Sequence, residues 1–120
     1  MLNFVFVFIG GGLGSICRYG IALLLQNQNT IFPFATFFAN VFSCILLGFL
    51  FAYNLKTGLS DSTKLLLMTG FCGGFSTFST FTNETFQLFQ NGATFYALSN
   101  IFFSLLVCLI CIYLGMKLAS

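Results

Sequence analysis

The eleven residues from Gly70 to Thr80 read GFCGGFSTFST, and they decide how the rest of the chain can fold. They lie in a segment without charge from Leu65 to Asn83, yet they contain three glycines and four hydroxyl side chains. Each glycine weakens a helix by about 1 kcal/mol, and hydroxyl groups compete for the backbone hydrogen bonds. We therefore predict a helix that is broken inside an apolar segment. A break at membrane depth is tolerated only where it is buried in protein or lines a cavity.

The composition places this segment in a membrane protein. Of the 120 residues, 58% are hydrophobic and only 5% are charged, whereas a soluble domain carries about 25% charged residues. The formal net charge of +2 comes from scattered residues, so the clustered basic face of a nucleic-acid-binding protein is missing. The chain has no histidine, the commonest general base, so we do not expect an enzyme. One integral membrane domain over residues 1–120 is predicted.

Four apolar segments are long enough to cross a bilayer as helices, which takes about 20 residues. They show no alternation of polar and apolar residues, so membrane-spanning strands are not expected. The predicted fold is an all-α membrane protein with four transmembrane helices, the third broken near its middle. The predicted spans are Phe4–Leu25, Phe32–Leu55, Lys64–Phe89 and Ala93–Leu118.

Short connections separate these spans. The stretch QNQNT, Gln26 to Thr30, joins the first two, and Pro33 stands at the entry of the second, where its missing N–H costs little. Gly58 suits the end of a helix, and Ser60 or Asp61 suits the start of the next. With four spans, Lys56, Lys64 and Lys117 share one side, with no basic loop residue opposite. This bias favours cytoplasmic termini but leaves insertion in both orientations open.

Polar residues in the first two spans are candidates for function, because polar groups in hydrocarbon need partners. Gly10 and Gly14 form a G-x-x-x-G pair that allows close approach of another helix. Arg18 is predicted to face an aqueous vestibule and attract anions, the alternative being a side chain that reaches to the interface. Asn40 is equally consistent with an interhelical hydrogen bond and with a donor that lines a pore, and Ser43 shares its face.

The last two spans carry a second set of candidates. Phe78 and Phe81 share a face beside the hydroxyl-rich stretch, and their positively polarised ring edges are suited to an anion. Asn100 and Ser104 lie on one stripe of the fourth span, which fits a polar track for a small anion or interhelical hydrogen bonding. Glu84 is either a proton-coupled carboxylate or a structural acceptor. The pair Cys108 and Cys111 has C-x-x-C spacing, but without histidine or a second pair we interpret all five cysteines as ordinary membrane-helix residues.

These motifs together resemble the Fluc family of fluoride channels, also called the CrcB family, over the whole chain. GGGLGSICRYG, Gly10 to Gly20, is similar to its first-helix motif, and PFATFFANVFSCILLG, Pro33 to Gly48, to its second-helix motif. GFCGGFSTFSTF, Gly70 to Phe81, resembles its signature third-helix break, and Asn100 with Ser104 fits its polar track.

The resemblance implies a dual-topology homodimer, with two antiparallel subunits and two separate fluoride pores. By motif, the residues that would line each pore are Asn40, Phe78, Phe81, Asn100 and Ser104. Phe78 and Phe81 would form a phenylalanine box, and Arg18 would shape the vestibule. The resemblance also implies a structural sodium ion, Na⁺, at the dimer centre, held by the backbone carbonyls of Gly73 and Ser76 from both broken helices.

The function implied is passive, fluoride-selective export that lowers cytoplasmic fluoride, by a multi-pass protein of the bacterial plasma membrane. The first alternative is a small four-helix exporter of cations or drugs, for which Glu84 would be the proton-coupled carboxylate. Such exporters keep their carboxylate in the first span, where this chain has none. The second alternative is a non-transporting assembly protein, in which the polar stripes only hold helices together.

Overall fold

A computed structural model describes residues 1–26 and 31–120, which contain helices and no strand. Most of the predicted connection Gln26–Thr30 therefore lies outside the described residues. Within the described ranges the all-α prediction is confirmed. The helices are α1 (Leu2–Leu25), α2 (Phe34–Thr57), α3 (Asp61–Lys64), a π-helix (Leu65–Cys72), α4 (Gly73–Phe75), α5 (Phe78–Gln90) and α6 (Thr94–Ala119).

Three of these helices, α1, α2 and α6, are long and apolar enough to cross a membrane. They match the first, second and fourth predicted spans to within two residues at each end. Helix α2 begins directly after Pro33, as predicted. It ends at Gly58, which has a φ of +80° that an L side chain rarely adopts, so the predicted stop is confirmed. Lys56 and Lys117 line one cavity at the ends of α2 and α6, which confirms that they share a side.

The third predicted span, Lys64–Phe89, corresponds to residues 61–90, which are divided into four helical pieces. Ser60 begins it by accepting a hydrogen bond from the Thr63 amide at 3.2 Å, so it is Ser60 that caps the helix. The helix is interrupted at Ser76 and Thr77, both of which have extended backbone. The predicted break is thus confirmed, and it lies after Gly73 and Gly74, which remain helical. The π-helix before them was not predicted.

The helices pack as two close pairs, each brought together by glycines. In the first pair, α1 lies against the third span, where a Cβ atom on Gly10 or Gly14 would overlap backbone atoms of that span. In the second pair, α2 lies against α6, where a Cβ atom on Gly48 would overlap the Ile112 carbonyl and one on Gly115 would overlap the Ile45 carbonyl. Backbone-to-backbone contact of this kind is how small residues join membrane helices.

Helix α5 then packs on α6 and leaves a gap beside the break. The broken end of the third span, α5, α2 and α6 therefore surround one cavity.

Candidate ion-binding cavity

A cavity of about 210 Å³ lies beside the break in the third span. It brings together five of the eight residues proposed from the sequence, which come from α2, the break, α5 and α6. The cavity is lined by Asn40, Cys44, Ser76, Thr77, Phe78, Phe81, Ser104, Leu105 and Cys108. The other three candidates do not line the cavity. Asn100 lies one turn before Ser104 on α6, Gly73 precedes the break, and Arg18 contacts the neighbouring Gly74.

Asn40 holds the break in place. Its Oδ1 atom accepts a hydrogen bond from the Thr77 backbone amide at 2.9 Å, and its Nδ2 atom donates to the Thr77 carbonyl at 3.3 Å. Both backbone groups of one extended residue are therefore satisfied by one side chain. Asn40 thus makes an interhelical hydrogen bond, one of the two alternatives from the sequence, and it also lines the cavity.

Thr77 was missed as a site residue by the sequence reasoning. Its Oγ1 atom accepts a hydrogen bond from the Thr80 amide at 3.2 Å and so begins α5. The signal was present, because a hydroxyl residue directly before a helix is a preferred N-cap. Together with Asn40, this cap replaces the helical hydrogen bonds that the break removes.

Phe78 and Phe81 stand side by side at the cavity, with ring centroids 5.9 Å apart and planes tilted by 42°. Phe81 is half-buried, whereas Phe78 is 77% exposed. The two rings lie on the first turn of α5, which the Thr77 cap positions. The Phe78 ring is thus mostly uncovered by its own chain, and this side of the cavity is open.

The stripe on α6 is a hydrogen-bonded chain. Ser104 Oγ donates to Asn100 Oδ1 at 3.0 Å, and Asn100 Nδ2 donates to Thr85 Oγ1 at 2.8 Å. Thr85 in turn donates to the Phe81 carbonyl at 2.8 Å. Asn100 is only 1% exposed, so in this arrangement it joins α6 to α5 and meets the cavity only through Ser104. Tyr96, one turn before Asn100 on α6, lines a different cavity.

Arg18 lies against the third span on the side of α1. Its Nε atom donates to the Gly74 carbonyl at 3.2 Å, and the side chain is half-buried. The hydrogen bond satisfies a carbonyl two residues before the break. Arg18 therefore brings a positive charge close to the broken helix without lining the cavity itself.

The break also redirects the amides that would normally bind the carbonyls of Gly73 and Ser76. The Thr77 amide, four residues after Gly73, donates to Asn40, and the Thr80 amide, four residues after Ser76, donates to the Thr77 side chain. Gly73 is exposed, and a Cβ atom there would meet nothing within 4 Å. Carbonyl oxygens released in this way are the ligands that a hard cation prefers.

The Cys72 carbonyl, by contrast, accepts three hydrogen bonds. They come from the Ser76 amide at 3.0 Å, the Ser76 hydroxyl at 2.8 Å and the Ser43 hydroxyl of α2 at 3.0 Å. Ser43 is buried, so its role in this structure is to tie α2 to the end of the π-helix. Because the Ser76 hydroxyl donates to the Cys72 carbonyl, the Ser76 carbonyl is the group that remains as a candidate ion ligand.

Glu84 is held between α5 and α2, away from the cavity. The Thr36 side chain of α2 lies near its carboxyl group. Its Oε1 atom is buried and has no hydrogen-bond partner among residues 1–26 and 31–120. The neighbouring Thr36 side chain suits a structural role for Glu84, while the Oε1 atom has no hydrogen-bond partner among the described residues.

The fold and the cavity define a class of protein: a multi-pass integral membrane protein with a polar cavity at a broken helix. Residues 5–116 match the family described as "CrcB-like protein, Camphor Resistance (CrcB)", and the chain belongs to this family. Among its relatives, the "Fluoride-specific ion channel FluC" of Shewanella loihica is 40% identical over 119 residues, covering 98% of this chain and 96% of the relative.

Two further relatives carry the same name. The protein of Chlorobium chlorochromatii is 42% identical over 114 residues, covering 94% of this chain and 88% of the relative. That of Flavobacterium psychrophilum is 38% identical over 122 residues, covering 100% and 98%. The likeness therefore extends over every helix described above.

Proposed function

We propose that the chain is a subunit of a fluoride-selective channel that exports fluoride passively and so lowers its cytoplasmic concentration. The observation that carries the proposal is the cavity, in which the Asn40 amide, the Phe78 and Phe81 rings and the Ser104 hydroxyl meet at the broken helix. The names of the relatives, each 38–42% identical over nearly the whole chain, agree with this function. No part of the mechanism requires a catalytic residue.

The chemistry of the cavity suits a small, strongly hydrated anion. A channel must replace the hydration shell of its ion without binding the ion too tightly to release it. The Asn40 Nδ2 atom carries two hydrogens and gives one to the Thr77 carbonyl, which leaves the second for an anion. The ring edges of Phe78 and Phe81 add weak positive potential without adding a charge. Ser104 can turn its hydroxyl from Asn100 toward the cavity.

The open side of the cavity supports a dimer. Phe78 is 77% exposed, and the polar residues Ser79, Thr82 and Asn83 of α5 are exposed beside it. Polar groups that face lipid are costly, so this surface needs protein or water against it. A second copy of the chain, antiparallel in the membrane, would cover α5 and complete two pores.

A structural sodium ion fits the backbone beside the break. The carbonyls of Gly73 and Ser76 lose their helical amides, and oxygen ligands of this kind suit a hard cation. One subunit offers few such ligands, so a site shared by two broken helices at the dimer centre is the arrangement we propose. The ion would fix the two breaks relative to each other.

Replacing Phe78 by Ile is expected to lower fluoride efflux by up to about tenfold, because it removes a ring edge, an interaction of the kind worth up to about 1.5 kcal/mol. Efflux is measured with a fluoride electrode from potassium-loaded liposomes after addition of valinomycin. The matched control is Phe86→Ile, since Phe86 is also an exposed residue of α5 but does not line the cavity. Equal efflux in wild type and F78I would show that Phe78 does not line the pore.

Wild-type efflux is expected to follow the electrochemical gradient of fluoride alone, with no coupled movement of protons. The alternative exporter requires Glu84 to carry protons, so Glu84→Gln tests it. We expect no proton-driven cation uptake by the wild type or by E84Q, measured with a pH-sensitive dye inside the liposomes. Proton-driven uptake that is present in the wild type and lost in E84Q would establish the exporter instead.

A further inference from the structure

Two thiols face each other on the wall of the cavity. Helices α2 and α6 run in the same direction and pack closely at Gly48, which meets Ile112. On the side of the cavity, Asn40 and Cys44 of α2 lie with Ser104 and Cys108 of α6. Both thiols line the same cavity, one from each of the two packed helices. The backbone contact at Gly48, one turn away, holds them together.

The remaining cysteines have different surroundings. Cys17 is exposed on α1, while Cys72 and Cys111 are buried, and the Ser43 side chain is within hydrogen-bonding reach of the Cys72 thiol. Among residues 1–26 and 31–120, no group of three or more His, Cys, Asp or Glu side chains is placed to hold a metal ion. A tetrahedral zinc site, which needs four ligands, is therefore not formed by these residues.

We propose that Cys44 and Cys108 form a two-thiol binding site for a soft, thiophilic cation such as Hg²⁺ on the wall of the cavity. Soft cations prefer thiolate ligands, and two ligands are enough for a metal that accepts linear coordination. Each thiol releases its proton to water as its sulfur bonds the metal, and no electrons are transferred. The Cys pair with C-x-x-C spacing in the sequence is not this site, because Cys111 is buried and lies outside the cavity wall.

A cation bound there would sit among the cavity residues next to Phe81 and Ser104. It would obstruct the passage of an ion through the cavity, so the site would make the channel sensitive to soft metals. This consequence rests on the proposed function, whereas metal binding itself does not.

The binding test uses purified Cys17→Ser protein, which removes the exposed thiol. The protein is treated with one equivalent of Hg²⁺, desalted in a monothiol that strips singly bound metal, and analysed for mercury. We expect about one Hg²⁺ per chain and the loss of two titratable thiols. The double variants C17S/C44S and C17S/C108S should retain at least tenfold less metal, and the matched control C17S/C111S should retain it in full.

Three results would overturn the site: no mercury retained by C17S, equal retention after either Cys44 or Cys108 is replaced, or equal loss in C17S/C111S. Efflux is measured in parallel, each variant with and without Hg²⁺. Fluoride efflux from C17S should fall at least tenfold with Hg²⁺ and return with a dithiol, while efflux from C17S/C44S should not respond. If no variant conducts fluoride, the proposed function fails, and the mercury retained still decides whether the thiol site exists.

Discussion

Replacing Asn40 by Asp is expected to abolish measurable fluoride efflux while the protein still assembles. The carboxylate keeps an acceptor for the Thr77 amide but loses the Nδ2 donor to the Thr77 carbonyl. It also places a negative charge on the wall of an anion pathway. For an anion about 4 Å away and an effective dielectric constant of about 20, the repulsion is about 4 kcal/mol, or about a thousandfold in occupancy.

The same substitution at Asn54 is the control for Asn40→Asp. Asn54 also lies on α2, and its Oδ1 atom accepts a hydrogen bond from the Leu59 amide at 2.9 Å, which a carboxylate can accept equally well. N54D should therefore conduct like the wild type in the liposome assay. Efflux from N40D at more than a tenth of the wild-type rate, with intact assembly on size-exclusion chromatography, would show that Asn40 does not face the ion.

Replacing Gly14 by Ala adds only one methyl group, but it is expected to destabilise the fold strongly. The new Cβ atom would overlap the Phe71 carbonyl and crowd the Phe75 amide, so α1 and the third span would have to separate. Overpacking of this kind costs about 1–3 kcal/mol or more. The separation would also disturb the Arg18 contact with the Gly74 carbonyl, four residues from Gly14 on α1.

Gly12→Ala on the same helix is the control for Gly14→Ala. A Cβ atom on Gly12 would meet nothing within 4 Å, so the change should be neutral or should stabilise the helix by up to about 1 kcal/mol. The measurement is the midpoint of unfolding in mixed detergent micelles. A midpoint for G14A equal to that of G12A would mean that α1 does not pack on the third span through Gly14.

Much of the architecture could be predicted because it depends on composition and local spacing. Apolar length alone identifies α1, α2 and α6, and the i, i+4 spacing of Gly10 and Gly14 predicts a close helix contact, which the structure confirms. The break was also predictable, since glycines and hydroxyls both weaken a helix. Five site candidates meet at one cavity because the packed pair α2 and α6 carries Asn40 and Ser104, while the break and α5 bring Ser76, Phe78 and Phe81 beside them.

The remainder depends on contacts between segments distant in sequence. The break falls at Ser76 and Thr77 because Asn40, 37 residues away from Thr77, satisfies both of its backbone groups. From the sequence alone, Asn100 and Ser104 are equally good candidates to contact an ion. In the structure the Asn100 amide donates to Thr85, which belongs to a different helix, and this contact could not be read from local spacing. The π-helix over Leu65–Cys72 has no local signal that we recognise.

The backbone contacts between α2 and α6 have a mechanical consequence. At Gly48 and Gly115 the two helices touch backbone to backbone, with no side chains between them to compress, so we expect α2 and α6 to move as one rigid unit. The distance between the cavity-lining residues of these two helices should therefore stay constant. Helix α5 meets α6 over a smaller area and follows the extended pair Ser76 and Thr77. We therefore expect any change in the width of the cavity to come from α5, with its phenylalanine rings as the side that moves.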